Sequence, residues 1–411
     1  MTGSVADQHR RALGVAGPRY RRWLHALALG MVACTFLLLT VGGVVTTLGE
    51  GLAVYDGWTS FGYYVPLAPL EYWVHDTGKL VEHGHRLIGK VAGVLAIALA
   101  VSLWVTQRGA GGRRWLAWLG VALLLAVILQ GAKGAFRIDW ADYQLAADGS
   151  RVLDADGYPI RVDNAWSIGL ALVHGVFGQL VFATTVLIAA AVGPGWVRWA
   201  AERTGHSRAA RPTRGATGLR WAAGVLVLAL VGQLVLGAAV RHLDAWNAIP
   251  DFPLTWGQVL PPVSQASLDA GAGLGPDFAN GARVGEVHLQ FTHRVGAVLV
   301  TAVAAWFIVM AWRAGAAGRL RWLSVALGVL LVAQWALGIG AALVGRGEPA
   351  WASAHQVVGA TLLGLATLMA ARAWRARIAA SASASEPVAA EPSDVRQAPG
   401  YAVGMAKVGR A

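Results

Sequence analysis

Charge is what this sequence has least of. Only 14% of its 411 residues are Asp, Glu, Lys or Arg, against 56% of hydrophobic types. A soluble domain carries roughly 25% charged residues. The shortage excludes a water-soluble globule of this size and points to a chain whose solvent is lipid. Cysteine is scarcer still: Cys34 stands alone inside an apolar run. A disulfide framework and a thiolate metal site are both excluded, and a lone cysteine in such a run packs as a small hydrophobe. The formal charge of +12 does not imply nucleic acid, because the cations sit in short links between apolar segments. That placement is a membrane topology signal.

Eight segments reach the ~20 residues that cross a bilayer. They lie at roughly 22–45, 86–107, 115–135, 166–192, 219–240, 291–312, 321–343 and 352–372. The first follows HRRALGVAGPRYRRW, is long, and lacks a small-residue cleavage site, so it reads as a retained helix rather than a signal peptide. The links after spans two, four, six and eight are basic (TQRGAGGRR, RWAAERTGHSRAARPTRGATGLR, WRAGAAGRLR, RAWRAR), whereas residues 46–85 and 138–165 are acidic. The positive-inside rule places both termini in the cytoplasm of a bacterial-type inner membrane and EHGHR (82–86) at the outer face.

The expected fold is all-α and polytopic: eight transmembrane helices in two pseudosymmetric four-helix bundles. The expected parts are a cytoplasmic arm (1–21), a first bundle (22–195), a basic linker (196–218), a second bundle (219–375) and a disordered tail (376–411) rich in Ala, Ser, Glu and Pro. The two-bundle reading comes from an internal repeat. EHGHR at 82–86 is echoed by QFTHR at 290–294, DGWTSFGYYVP at 56–66 by DFPLTWGQVLP at 251–261, and His174 in ALVHGVFGQLV by His355 in ASAHQVVGATLLG. Repeats with an even number of spans keep the same orientation.

Each half thus has one histidine at the start of its second helix and one early in its fourth: His85 and His174, then His293 and His355. Two imidazoles from two helices suit the two faces of a flat iron macrocycle. A single membrane histidine is as often an interhelical hydrogen-bonder, but two matched pairs at matching depth weigh against that. Zinc or copper would want three or four protein ligands. Gly84, Gly89, Gly93, Gly175 and Gly178, with Gly296, Gly359 and Gly364 in the second half, leave room for a macrocycle or for close helix packing. His83 aligns with Phe291 and reads as a bystander. His25, His206 and His242 read as surface or interfacial, and His75 and His288 as loop residues.

The halves differ three residues before each HR pair: Glu82 in the first, Gln290 in the second. A carboxylate beside a low-dielectric pocket can move protons or stabilise a developing cation, whereas the bland role is to favour a helix N-terminus. Arg86 and Arg294, with Arg137 and Arg241 at outer helix ends, are candidate partners for propionates; interfacial snorkelling is the bland alternative.

This combination (EHGHR, LVHGVFGQ at 172–179, DFPLTWG at 251–257, THRVGA at 292–297 and AHQVVGATLLG at 354–364) resembles the haem A synthase family over about residues 30–372. The resemblance implies two bundles, with haem O as substrate held in the first by His85 and His174 and Glu82 as the essential acid. A haem B cofactor would sit in the second on His293 and His355, the iron of each haem being bound through its histidine pair. It implies oxidation of the C8 methyl to formyl, with oxygen drawn from water. Implied partners are haem O synthase, cytochrome c oxidase assembly factors, the lipid bilayer and, as an option, a second copy of the chain. The chain departs from the family by lacking a cysteine pair in its first outer loop, by Tyr55 and Gly57-Trp58 there, and by the long 138–165 connection. From the residues alone, a di-haem b-type electron-transfer protein and a haem transporter or chaperone remain open. A channel is disfavoured by the lack of polar residues at mid-membrane.

Overall fold

A computed structural model describes residues 20–109, 112–198, 216–278, 280–313, 319–343 and 348–384. The expected arm, linker and tail lie mostly outside these residues. Among those described, eight helices are long and apolar enough to cross a membrane. They are α1 (Arg22–Leu48), α2 (Thr77–Gln107), α3 (Arg114–Asp139), α4 (Ala165–Val192), α5 (Ala216–His242), α6 (Val284–Arg313), α7 (Arg319–Leu343) and α8 (Pro349–Ala384). The chain is an all-α polytopic membrane protein. Large apolar side chains on the outer helix faces, Val105, Leu228 and Val332 among them, are more than two-thirds exposed. That pattern is stable in lipid and would be an aggregation liability in water.

Several boundaries differ from the sequence expectation, each for a local reason. Apolar runs mark the membrane window, but helices continue into polar residues. α2 begins at Thr77 because the Asp76 side chain accepts the Lys79 backbone N–H at 2.9 Å, a standard N-cap. EHGHR therefore lies one to two turns inside a helix rather than at its mouth, and His293 likewise sits well inside α6. α4 starts on a capping box formed by Asn164 and Ser167. α1 ends on Gly49, whose φ of 79° suits a glycine cap. α8 continues to Ala384, so residues 376–384 are helical, as their Ala and Arg content favours.

α1 to α4 pack on one another around a core that includes Leu24, Met31, Leu99, Leu116, Leu123 and Ile188. A second core joins α5 to α8 through Leu226, Phe307, Leu327, Leu363 and Met369. The halves of the chain meet where α4 packs on α5 and where Ser353 on α8 reaches Thr47 on α1 at 3.2 Å. The connection between α3 and α4 folds as a small antiparallel hairpin, β1 (Asp142–Tyr143) pairing with β2 (Arg161–Val162). It is tied to the first turn of α2 and to the loop between α1 and α2. Lys79 bonds Asp154 at 2.7 Å and Asp156 at 2.5 Å, Tyr158 stacks on Tyr55 with ring centres 4.8 Å apart, and Arg161 donates to the Tyr55 carbonyl.

Candidate functional site

The four histidines meet in two pairs. The ring centres of His85 and His174 are 6.4 Å apart with planes at 67°; those of His293 and His355 are also 6.4 Å apart at 67°. A metal held between two imidazoles, with bonds of about 2 Å and rings of roughly 1 Å radius, needs ring centres roughly 6 Å apart. Among the described residues no group of three or more His, Cys, Asp or Glu could hold a metal. A two-imidazole set fits an ion whose other donors come from its own macrocycle.

Each ring is seated against a glycine of the neighbouring helix. A Cβ on Gly42 of α1 would lie 2.9 Å from His85 Cε1, and one on Gly134 of α3 would lie 3.1 Å from His174 Cε1. In the second half a Cβ on Gly237 of α5 would lie 3.1 Å from His293 Cε1, and one on Gly338 of α7 would lie 2.9 Å from His355 Cε1. By contrast Gly84, Gly89 and Gly93, which the sequence singled out, have open space around them.

In three of the four cases a glutamine stands four residues before the seating glycine: QGAKG at 130–134, QLVLG at 233–237 and QWALG at 334–338. The Gln130 amide donates to the His174 carbonyl at 2.8 Å, and that of Gln233 to the His293 carbonyl at 2.9 Å. The Gln334 amide contacts His355 Nε2 at 3.1 Å. Gln130 and Gln334 rest in turn against Gly178 and Gly359, each four residues after its histidine. Helix pairs therefore interlock, imidazole on glycine and amide on glycine. At the fourth seat the matching residue is Leu38. Sequence reading missed this arrangement, although the threefold Q-x3-G was there to find.

The loops that precede α2 and α6 are clasped alike in both halves. Asp56 accepts the N–H groups of Phe61 (3.0 Å) and Gly62 (2.9 Å); Asp251 accepts those of Trp256 and Gly257 (2.7 Å each). Arg86 donates to the carbonyls of Asp56 and Thr59, and Arg294 to those of Asp251 and Leu254. Glu82 Oε2 accepts the Val54 N–H at 2.8 Å, and Gln290 Oε1 accepts the Ile249 N–H at 2.7 Å.

A family model described as cytochrome oxidase assembly protein, COX15-CtaA, matches residues 25–367. The chain belongs to the COX15-CtaA family. Curated relatives in this family include a haem A synthase of Methylobacterium radiotolerans, 29% identical over 90% of this chain and 93% of its own length. One from Beijerinckia indica is 27% identical over 89% of this chain and 94% of its own. One from Rhodopseudomonas palustris is 30% identical over 71% of this chain and 68% of its own.

Against this symmetric frame, the COX15-CtaA chain shows where its halves part. Glu82 Oε1 also receives Arg86 at 2.8 Å. Gln290 instead gives its amide to the Trp246 carbonyl at 2.9 Å, and Arg294 Nη2 is left buried without a partner. Both terminal nitrogens of Arg86 are bonded to the loop and Glu82. Arg137 pairs with Asp163 at 3.4 Å and keeps a buried Nε with no partner. Arg241 reaches across to the Thr46 carbonyl at 2.6 Å.

His83 is buried beside Trp73, ring centres 4.6 Å apart, and joins neither pair. His288 meets the Pro262 carbonyl and His242 lies near Gly175 at the junction of the halves; His206 falls outside the described residues. Glu50 lies just beyond the end of α1 at Leu48. Burial, reinforced by Asp76 and Glu82, pushes its carboxyl above the usual carboxylate range.

Proposed function

We propose that this chain is a haem A synthase, built as two pseudosymmetric four-helix bundles, residues 22–195 and 219–375. Haem O, the substrate, sits between His85 and His174, and the enzyme oxidises its C8 methyl to formyl. Haem B sits between His293 and His355. The observation that carries this reading is the pair of equal imidazole geometries that differ in Glu82 against Gln290. Equal ligation with an ionisable group in one half alone fits one reacting haem and one resident haem. The bound irons supply the electron-transfer chemistry.

The chain's own residues do the positioning. The glycine seats set the imidazole rings at the spacing a bound iron needs, and the glutamine amides brace the turns that carry His174 and His293. The Asp56 and Asp251 clasps close the outer ends of the two sites against water. Glu82, bonded to Val54 and Arg86, places a negative charge at the edge of the first site, where it can take up one of the protons released as the methyl group gives up electrons to an external acceptor and gains oxygen from water. Arg137, with its unpartnered Nε, and Arg241 are the propionate partners; Arg294 Nη2 is a third candidate. The termini are cytoplasmic, which places both sites in the outer half of the inner membrane. Haem O synthase and oxidase assembly factors are the expected partners.

Expression with haem O synthase, followed by acid extraction of haem, tests the function: haem A should accumulate in cells carrying this chain and not in cells without it. Haem O alone, with a bis-histidine b-type spectrum on the purified protein, would shift the assignment to an electron carrier. Single substitutions His293→Ala and His355→Ala should each remove the haem B spectrum.

A further inference from the structure

Lys133 is a charge inside an apolar span that the function so far leaves unused. It sits on α3 one residue before Gly134, the seat of the His174 ring, and so lies at the depth of the first imidazole pair. Its ammonium stands 3.4 Å from the centre of the Phe177 ring, which is on α4 one turn beyond His174. Among the described residues no carboxylate pairs with it. A lone cation at this depth is costly and marks a functional position by default; the aromatic face offsets part of that cost.

The second half has neither member of this pair. QGAKG at 130–134 aligns with QWALG at 334–338, which puts Leu337 in the place of Lys133. HGVFG at 174–178 aligns with HQVVG at 355–359, which puts Val358 in the place of Phe177. The frame of seats, amides and histidines is shared, and the cation is exclusive to the first half. It therefore answers to something that only the ligand of the first half has. Haem O and haem B both carry propionates, which would call for a cation in both halves. They differ in one substituent. Haem O has a hydroxylated isoprenoid chain where haem B has a vinyl group with no oxygen.

Resting on the reading of the first half as the substrate site, we propose that Lys133 is its specificity residue. Its ammonium donates a hydrogen bond to the side-chain hydroxyl of haem O, and so favours haem O over haem B in that half. A site built to hydrogen-bond a substrate hydroxyl rejects the analogue that lacks it.

The test uses the whole protein, purified in detergent from cells that make haem B but not haem O. Ferric haem O and ferric haem B are titrated in separately, with binding read from difference absorption and no turnover. The wild type should bind haem O about tenfold or more tightly than haem B, the scale of one charge-assisted hydrogen bond. Lys133→Leu, which installs the residue of the second half, should abolish the preference by weakening haem O alone. Lys133→Arg, which keeps a donor, should restore part of it. Equal weakening of both haems in Lys133→Leu would indicate a propionate contact and overturn the proposal. No change with either haem would mean that the ammonium only reaches for the membrane boundary, and would overturn it too. An unchanged second-half haem spectrum shows that each variant is folded. Failure of the wild type to take up either haem would remove the substrate-site reading along with the proposal.

Discussion

Glu82 and Arg86 form a nearly buried ion pair at 2.8 Å, one helical turn apart on α2. The same turn of α6 holds Gln290 and Arg294 with no such pair. The contrast separates two jobs of residue 82. Its Oε2 holds the loop through Val54, which an amide oxygen does equally well in the second half. Its charge does what an amide cannot. Glu82→Gln should keep the loop clasp, leaving both haems bound with unchanged spectra. Haem A formation should fall by a factor of about 10²–10⁴, the usual contribution of a positioned acid–base group. Breaking a buried pair costs about 3–5 kcal/mol when nothing compensates; here the retained amide should hold the loss of stability below that, as a modest drop in Tm. Haem A formation at the wild-type rate in this variant would leave Glu82 as a clasp alone.

The glycine seats predict a graded series. Gly42→Ala and Gly338→Ala put a methyl 2.9 Å from an imidazole carbon, and Gly134→Ala and Gly237→Ala put one at 3.1 Å. In each case the ring must move off the glycine. Alanine at 42 or 134 should perturb the haem of the first half, and alanine at 237 or 338 that of the second, read as loss of the low-spin signal from one site at a time. Gly89→Ala and Gly93→Ala meet nothing within 4 Å and should leave both signals in place. A uniform response from all six would mean that the seats do not set the rings.

The glutamines can be tested apart from the glycines. Gln233→Leu makes the α5 seat resemble that of Leu38 on α1. It removes the amide that bonds the His293 carbonyl at 2.9 Å while preserving side-chain size. A buried hydrogen bond of this kind contributes about 0.5–1.5 kcal/mol, so haem should remain bound but wash out roughly three- to tenfold faster. Leu38→Gln should do the reverse for the first half. Unchanged washout rates in both variants would reduce the glutamines to packing.

The histidine pairs were legible in the sequence because a repeat compares the chain with itself: a residue type that recurs in register stands out from its neighbours. Helix starts were less legible. Asp76 caps α2 from within a charged stretch, and hydropathy does not see caps. The seats are less legible because the glycines nearest the histidines in sequence lie on the histidine-bearing helices, whereas the rings rest on glycines of their neighbours. That relation is a contact, and contacts between helices are not written in the spacing of either one. The partners of Arg86 were illegible for the same reason: they are mostly loop carbonyls, which every residue has and no motif announces.

The strap from the α3–α4 connection to α2 makes a prediction about pH. Asp154, partly exposed, bonds the buried Lys79 at 2.7 Å. Burial alone would raise its carboxyl, but the hydrogen bonds from Lys79 and the Tyr158 amide, with the charge of Lys79, hold it below the ordinary value of 3.8. A depressed carboxylate stabilises the fold above its unfolded pKa, and that contribution is lost as pH falls through the folded one. The strap should therefore hold at neutral pH and release only in acid below about 3.8. Glu50 runs the other way. Its carboxyl is raised by burial, with Asp76 and Glu82 adding repulsion, so mild acid protonates it first and relieves that repulsion beside the start of α2. Hydrogen exchange of residues 140–164, corrected for intrinsic rates, should stay slow or tighten on mild acidification and then accelerate at lower pH. Asp154→Asn with Asp156→Asn should exchange fast at neutral pH and lose the acid phase. Protection that persists in acid in the wild type would mean that the Tyr55–Tyr158 stack, not the ion pairs, holds the connection down.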